Sequence, residues 1–187
     1  MPIIEIIKED PRISKLQFLA KALKNGDDRF HVTTLKVESD GSAVALDGAR
    51  LHWVADIELE KGYYKMVRCT KTKISIDRIA DLDDANLPGY PQYSDLLLLP
   101  DVEPLDLMMT TVDNGNSKAY TAIVRAMVGR VTINFNFVND LCATWDGIAS
   151  VYIPPPTLNN RTGDDETNGA VIFTMPEYQA IIMPMNL

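Results

Sequence analysis

HVTTLKVESDGSAVALDGARLHWVADIEL, residues 31–59, is the stretch that decides how the chain is read. Apolar residues recur there at every second position, the pattern of strands half buried against a core. Two polar breaks interrupt it, Ser39-Asp40-Gly41-Ser42 and Asp47-Gly48. An Asp-Gly pair between alternating segments marks a tight turn. The spacing predicts three consecutive antiparallel strands between Arg29 and Leu59. Just upstream, ISKLQFLAKALK (13–24) carries Leu16, Leu19, Ala20 and Leu23 at helical spacing, with Asn25-Gly26 as a stop. The predicted unit is a helix followed by a three-stranded meander.

Downstream, YYKMVRCT (63–70) and KISIDRI (73–79) predict a further strand pair around the basic turn Lys71-Thr72-Lys73. Residues 80–104 change character: Asp81, Asp83 and Asp84, prolines at 88, 91, 100 and 104, and the apolar run Leu96 to Leu99 predict a connector. Residues 118–130 fit a strand or a helix equally well. VTINFN (131–136) predicts a strand entering a short helix from Phe137 to Trp145, stopped by Asp146-Gly147. IASVYIP, AVIFTM and QAIIMPM then predict three strands, the first two joined by a polar loop from Pro154 to Gly169. A helix and three strands thus recur in order near the end, without an internal sequence repeat.

The composition is that of a globular chain: 187 residues, 46% hydrophobic and 24% charged. No apolar run approaches the ~20 residues of a membrane span. The opening MPIIEIIKEDPR has an apolar patch but no basic flank or cleavage site, so no export signal is expected. Cys69 and Cys142 have neither zinc nor disulfide spacing, which predicts a reduced, cytoplasmic protein. A formal net charge of −8 argues against coating nucleic acid with the whole surface, yet permits a local basic strip. Lys15, Lys21 and Lys24 fall mainly off the helix's apolar stripe, which suits a solvated face or phosphate contact alike.

The sequence offers little catalytic chemistry. The two histidines, His31 and His52, sit in predicted strands without a nearby cysteine or carboxylate at ligand spacing. Asp81, Asp83 and Asp84 lack the spacing of a calcium loop, and Asp164-Asp165-Glu166 reads as a second solvated acidic turn. No nucleophile elbow, phosphate loop or dinucleotide fingerprint is present. A protein without enzymatic activity, metal or cofactor is expected.

Three segments together resemble the β sliding clamps of bacterial DNA polymerase III. ESDGSAVALDGARLHWV (38–54) is similar to the clamp's strand-turn-strand motif at Asp47, Gly48, Arg50 and Leu51, with Leu46 where the family usually has Thr and Ala49 where it often has His. Tyr90-Pro91-Gln92-Tyr93, followed by Leu96 to Pro100, resembles the family's connector. The ending AIIMPMNL resembles the clamp's terminal Met-Pro-Met-Arg-Leu, with Asn186 in place of Arg. TINFNFVNDLC is similar to the family's entry into a helix ahead of its final strands.

The resemblance implies an α+β, clamp-like fold of helix-plus-three-strand units with antiparallel sheets. It implies an abbreviated clamp: residues 1–100 corresponding to the family's middle domain, and 101–187 to a shortened final domain. The family joins these segments at a domain junction into a pocket for short peptide motifs of polymerases and clamp loaders. Here Val32, Asp47, Gly48, Arg50, Leu51, Pro91, Leu96, Met183, Pro184 and Met185 would form it. Unbranched, polarizable methionines suit a surface that must repack around several partners. Double-stranded DNA would be held without sequence preference by Lys15, Lys21, Lys24, Lys71 and Lys73. A homo-oligomeric ring would need more copies than the longer family members use. The alternative is an adaptor or decoy of the same fold that binds replication proteins without encircling DNA.

Overall fold

The structure, a computed structural model, describes residues 3–24, 26–79, 90–109, 131, 133–155, 157–158, 165–166 and 169–184. The chain divides into two compact units, Met1–Tyr93 and Ser94–Leu187.

In the first unit, strands β1 (Ile4–Ile7), β2 (Thr34–Val37), β3 (Ala43–Leu46), β4 (Arg50–Val54), β5 (Gly62–Cys69) and β6 (Lys73–Ile79) form an antiparallel array ordered β1-β6-β5-β2-β3-β4. The predicted meander is β2-β3-β4, and its turns have the expected chemistry. At the first turn the Ser42 amide and hydroxyl both donate to Asp40 Oδ1, at 2.9 and 2.7 Å, while Gly41 takes φ +83°. At the second, Asp47 Oδ1 accepts from the amides of Ala49 (2.9 Å) and Arg50 (3.0 Å), and Gly48 takes φ +91°. Side chains of Asp in this position mimic a backbone turn, and glycine alone reaches positive φ without a Cβ penalty.

Helix α1 (Arg12–Ala20) covers one face of this sheet with Leu16, Phe18 and Leu19 buried. It ends four residues before the predicted Lys24, because the amides of Lys21, Ala22 and Leu23 bond to carbonyls three residues back. Such i→i−3 bonds tighten a last turn. His52 lies on the same face, fully buried. Its ring stacks on Phe18 at 4.4 Å between centroids, and Nδ1 lies 2.6 Å from the Phe18 carbonyl oxygen. A carbonyl oxygen only accepts, so Nδ1 carries the proton.

One expectation for this unit needs correction, and one strand was not predicted. Residues Phe30–Thr33 form one helical turn, α2, instead of starting the strand. Asp27 Oδ1 holds the Arg29 amide at 3.0 Å and the Val32 amide returns to the Arg29 carbonyl, which winds the entry. The opening apolar patch is itself strand β1, hydrogen-bonded to β6; it buries only Ile6 and so shows no alternation to read.

In the second unit, β7 (Leu105–Met109), β8 (Gly147–Tyr152), β11 (Val171–Met175) and β12 (Tyr178–Ile182) run antiparallel in the order β12-β11-β8-β7. β9 (Thr157–Leu158) and β10 (Asp165–Glu166) pair separately within the expected polar loop. Helix α3 (Phe135–Thr144) begins two residues earlier than predicted, because Asn134 caps it: its side-chain oxygen accepts from the Asn136 amide at 3.0 Å. Val131 and Ile133 are buried without forming the expected strand. Val138, Leu141 and Cys142 of α3 are buried, as are Ala149, Val151, Phe173, Ala180 and Ile182 of the strands. β7 begins just beyond the predicted connector, residues 80–104, and was not anticipated. Residues 118–130, Asp81, Asp83 and Asp84 lie outside the described residues.

Candidate functional site

The first unit contributes the second turn of the meander. Asp47 spends one carboxylate oxygen on the two turn amides and the other on Arg50 Nε at 3.0 Å. Both side chains are withdrawn from water, at 10% exposure for Arg50 and 12% for Asp47. Arg50 is therefore held against its own turn by a charge-assisted bond. Leu51 sits opposite Leu46 in the β3–β4 register, and both are buried. Val32 is fully buried in α2, while Gly48 is exposed.

Residues Tyr90 to Tyr93 belong to the same unit. The Tyr90 hydroxyl donates to the Val44 carbonyl at 3.3 Å, and the Tyr93 hydroxyl donates to Glu38 Oε1. Burial, with Glu38 nearby, pushes both phenols far above their ordinary value. Pro91, between the two anchors, is exposed.

The second unit contributes a different surface. Ser94–Leu97 forms a 3-10 turn whose Leu97 carbonyl accepts from Gln179 Nε2 of β12 at 3.1 Å. That bond ties the turn to the strand that leads into Met183 and Pro184. Leu96, Leu98 and Leu99 are 41%, 69% and 50% exposed, and Met183 is 38% exposed. Pro184 is half buried, and Met185, Asn186 and Leu187 lie outside the described residues. Three exposed leucines within four residues of one another put apolar area in water, the feature that marks interaction surfaces where it is contiguous. Sequence reasoning singled out Leu96 and passed over Leu98 and Leu99, the more exposed pair; the unbroken four-leucine run followed by a proline was the available signal.

The five lysines have varied surroundings. Lys15 Nζ donates to the carbonyls of Ala55 (2.9 Å) and Asp56 (3.1 Å). Lys24 lies 3.4 Å from Asp27, and Lys73 lies 2.6 Å from Glu5. Lys21 is half buried beside Cys69, and Lys71 is exposed on the β5–β6 turn. Among the described residues no cluster of three metal-ligating side chains occurs, and no helix is long and apolar enough to cross a membrane.

No family model matches the chain, and no curated protein matches it. Solved structures do. The DNA polymerase III β subunit of Pseudomonas aeruginosa superposes with a TM-score of 0.52 at 10% identity, over 100% of this chain and 67% of the other. The corresponding subunit of Caulobacter crescentus gives 0.56 at 11% identity, over 100% and 66%. This chain has the fold of a DNA sliding clamp. The Helicobacter pylori β clamp, solved with a DNA ligase peptide bound, gives 0.53 at 8% identity over 99% and 66%. The chain thus spans about two-thirds of the length of the clamps it matches. A clamp fold carries no activity by itself, since one fold hosts many functions.

Proposed function

We propose that this chain is a sliding-clamp-type processivity factor of DNA replication, a non-enzymatic cytoplasmic protein that holds peptide motifs of a polymerase or clamp loader. Residues 1–100 take the role of a clamp's middle domain and 101–187 that of a shortened final domain. The peptide surface uses Val32, Asp47, Gly48, Arg50, Leu51 and Pro91 from the first unit, and Leu96, Met183, Pro184 and Met185 from the second. The observation that carries this reading is the exposed apolar set Leu96, Leu98, Leu99 and Met183 on a clamp fold matched over its whole length.

The residues divide by task. Exposed leucines and Met183 supply apolar area that a peptide covers. Buried Val32 and Leu51 pack within the first unit, and the Asp47–Arg50 pair fixes its β3–β4 turn with the two charges paired to each other. DNA is held by Lys15, Lys21, Lys24, Lys71 and Lys73 through phosphate, so retention on DNA falls steeply with salt. Closing a ring with a chain two-thirds of the usual length takes more than two copies.

The test is direct. The DNA ligase peptide found on the Helicobacter pylori clamp is titrated against the chain, and retention on closed circular DNA is compared with linear DNA at low salt. Saturable peptide binding with retention on circles alone supports the reading; no binding and equal loss from both DNAs refute it.

The adaptor alternative has its own support. The net charge is −8, and Lys15, Lys24 and Lys73 already bond within the chain. A monomer that binds the peptide but not circular DNA would favour it over the ring.

A further inference from the structure

We infer that Lys36 and Glu38 are positioning residues that strap Tyr90–Tyr93 onto the first unit's sheet and thereby set the place of Pro91; this rests on the peptide-binding reading. Strand alternation sorts the residues of the meander between two faces. His52 faces α1, and its register partner is Ala45, so Val44 and its partners Lys36 and Trp53 point to the opposite face; Lys36 in turn pairs with Tyr63. Tyr90 lies on that face, with its ring 5.8 Å from the Tyr63 ring and 6.3 Å from that of Tyr93.

Lys36 Nζ sits 5.9 Å from the Tyr63 ring centre and 5.8 Å from that of Tyr90, within cation–π range of both. It also lies 2.9 Å from Glu38 Oε1, the same oxygen that accepts from the Tyr93 hydroxyl. One ammonium and one carboxylate oxygen thus reach both tyrosines that flank Pro91-Gln92. The Lys36 side chain is only 15% exposed. A cation so far withdrawn from water is held by its partners rather than by solvent, so removing its charge leaves Glu38 without its counter-ion and the strap without its centre.

Pro91 makes this matter for binding. It has no amide to bond with, and it is exposed. Its position is therefore inherited from its neighbours.

The experiment compares wild type with Lys36→Met, which keeps the apolar stem, Lys36→Arg, which keeps the charge, and Tyr93→Phe, a mild variant that loses one hydroxyl. Nitration of the Tyr90 ring by tetranitromethane, a reagent that attacks phenols within reach of solvent, is read by mass spectrometry against that of Tyr64, which is fully buried on its own account. Affinity for the DNA ligase peptide is read in parallel. The expected result is nitration of Tyr90 at least ten-fold faster in Lys36→Met, with Tyr64 unchanged, a several-fold loss of peptide affinity, and partial rescue by Lys36→Arg. Tyr93→Phe gives a smaller change of the same sign. Unchanged nitration of Tyr90 in both Lys36→Met and Tyr93→Phe overturns the strap. Faster nitration with unchanged peptide affinity overturns its positioning role. A wild-type chain that binds no peptide refutes the peptide-binding reading and the positioning role with it, while the nitration rates still decide the strap.

Discussion

Replacing Met183 by Ala separates binding from folding. Met183 is 38% exposed. Fully burying a methionine side chain is worth about 1.5–3 kcal/mol, so covering the exposed share with a peptide contributes about 0.6–1.1 kcal/mol, or roughly three- to six-fold in affinity. The share already buried costs about 1–2 kcal/mol of stability on truncation by the same scale, without a cavity penalty because the site opens to solvent. Leu51→Ala behaves differently. Leu51 is 4% exposed, so truncation leaves an enclosed void and costs about 2–5 kcal/mol of stability, with any affinity loss arriving through a disturbed β3–β4 hairpin. Fluorescence anisotropy of a labelled DNA ligase peptide, alongside urea unfolding of each variant, reads both effects. Unchanged affinity in a folded Met183→Ala variant, together with unchanged affinity in Leu98→Ala, whose side chain is 69% exposed, refutes the assignment of this surface to peptide binding.

Phe18→Ala should cost about 3–5 kcal/mol in urea unfolding, because it removes a fully buried ring and the stacking partner of His52. The Asp10 carboxyl is lowered from 3.8 to about 2, chiefly by the Arg12 side chain, which donates from Nε at 2.9 Å. A depressed carboxyl stabilises the fold above its unfolded value and ceases to do so as pH falls from about 4 to about 2, so Asp10→Asn should flatten that part of the acid unfolding curve. Tyr90 and Tyr93 are raised, so the fold favours their neutral forms, and stability falls as pH climbs through the unfolded value of 10.0. Ultraviolet titration should show both phenols ionising only when the unit unfolds, and Tyr93→Phe should reduce that alkaline loss. In solution the mass should be a multiple of the chain mass greater than two, measured by sedimentation equilibrium; a persistent monomer refutes the ring.

The meander was legible because its information is local. Alternation reports which face is buried, and Asp-Gly turns report where the chain reverses; both Asp40 and Asp47 make the side-chain bonds that such turns require. Strands β1 and β7 were not legible, for the same reason in reverse. β1 buries one residue of four, and β7 keeps Leu105, Asp106 and Met108 exposed. Such strands are specified by the neighbour they pair with, β6 and β8, and that partner is distant in sequence. The start of α3 was missed by two residues because Asn134, read as part of a strand, caps the helix. At the candidate site, Asp47, Gly48 and Arg50 announced themselves as a turn, whereas Lys36, Glu38 and Tyr63 read as ordinary strand positions. Their grouping depends on pairing across β2, β5 and the returning Tyr90 segment.

That distinction bears on how a clamp fold persists at about 10% identity with its structural neighbours. Turn chemistry and apolar alternation tolerate wide substitution, since Ile and Leu can exchange at a buried strand position for less than about 1.5 kcal/mol where the neighbours repack. What the fold leaves unspecified is the exposed surface. Leu98 and Leu99 contribute little to holding the second unit together, because most of Leu98 and half of Leu99 face solvent. Packing therefore does not require leucine at either position, and the proposed apolar partner gives both a use. The lysines point the opposite way: Lys15 already binds two carbonyls of the Ala55–Asp56 bend, where Asp56 sits at φ +45°, so its contribution to stability accounts for it without DNA. The exposed part of the proposed peptide surface thus uses residues that the fold does not need, and the proposed DNA contact uses residues that it partly does. Charge-reversal at exposed Lys71, which leaves the packed core untouched, is the substitution that separates these uses. It should weaken retention on circular DNA and spare peptide affinity, and equal loss of both would mean that the two surfaces are not distinct.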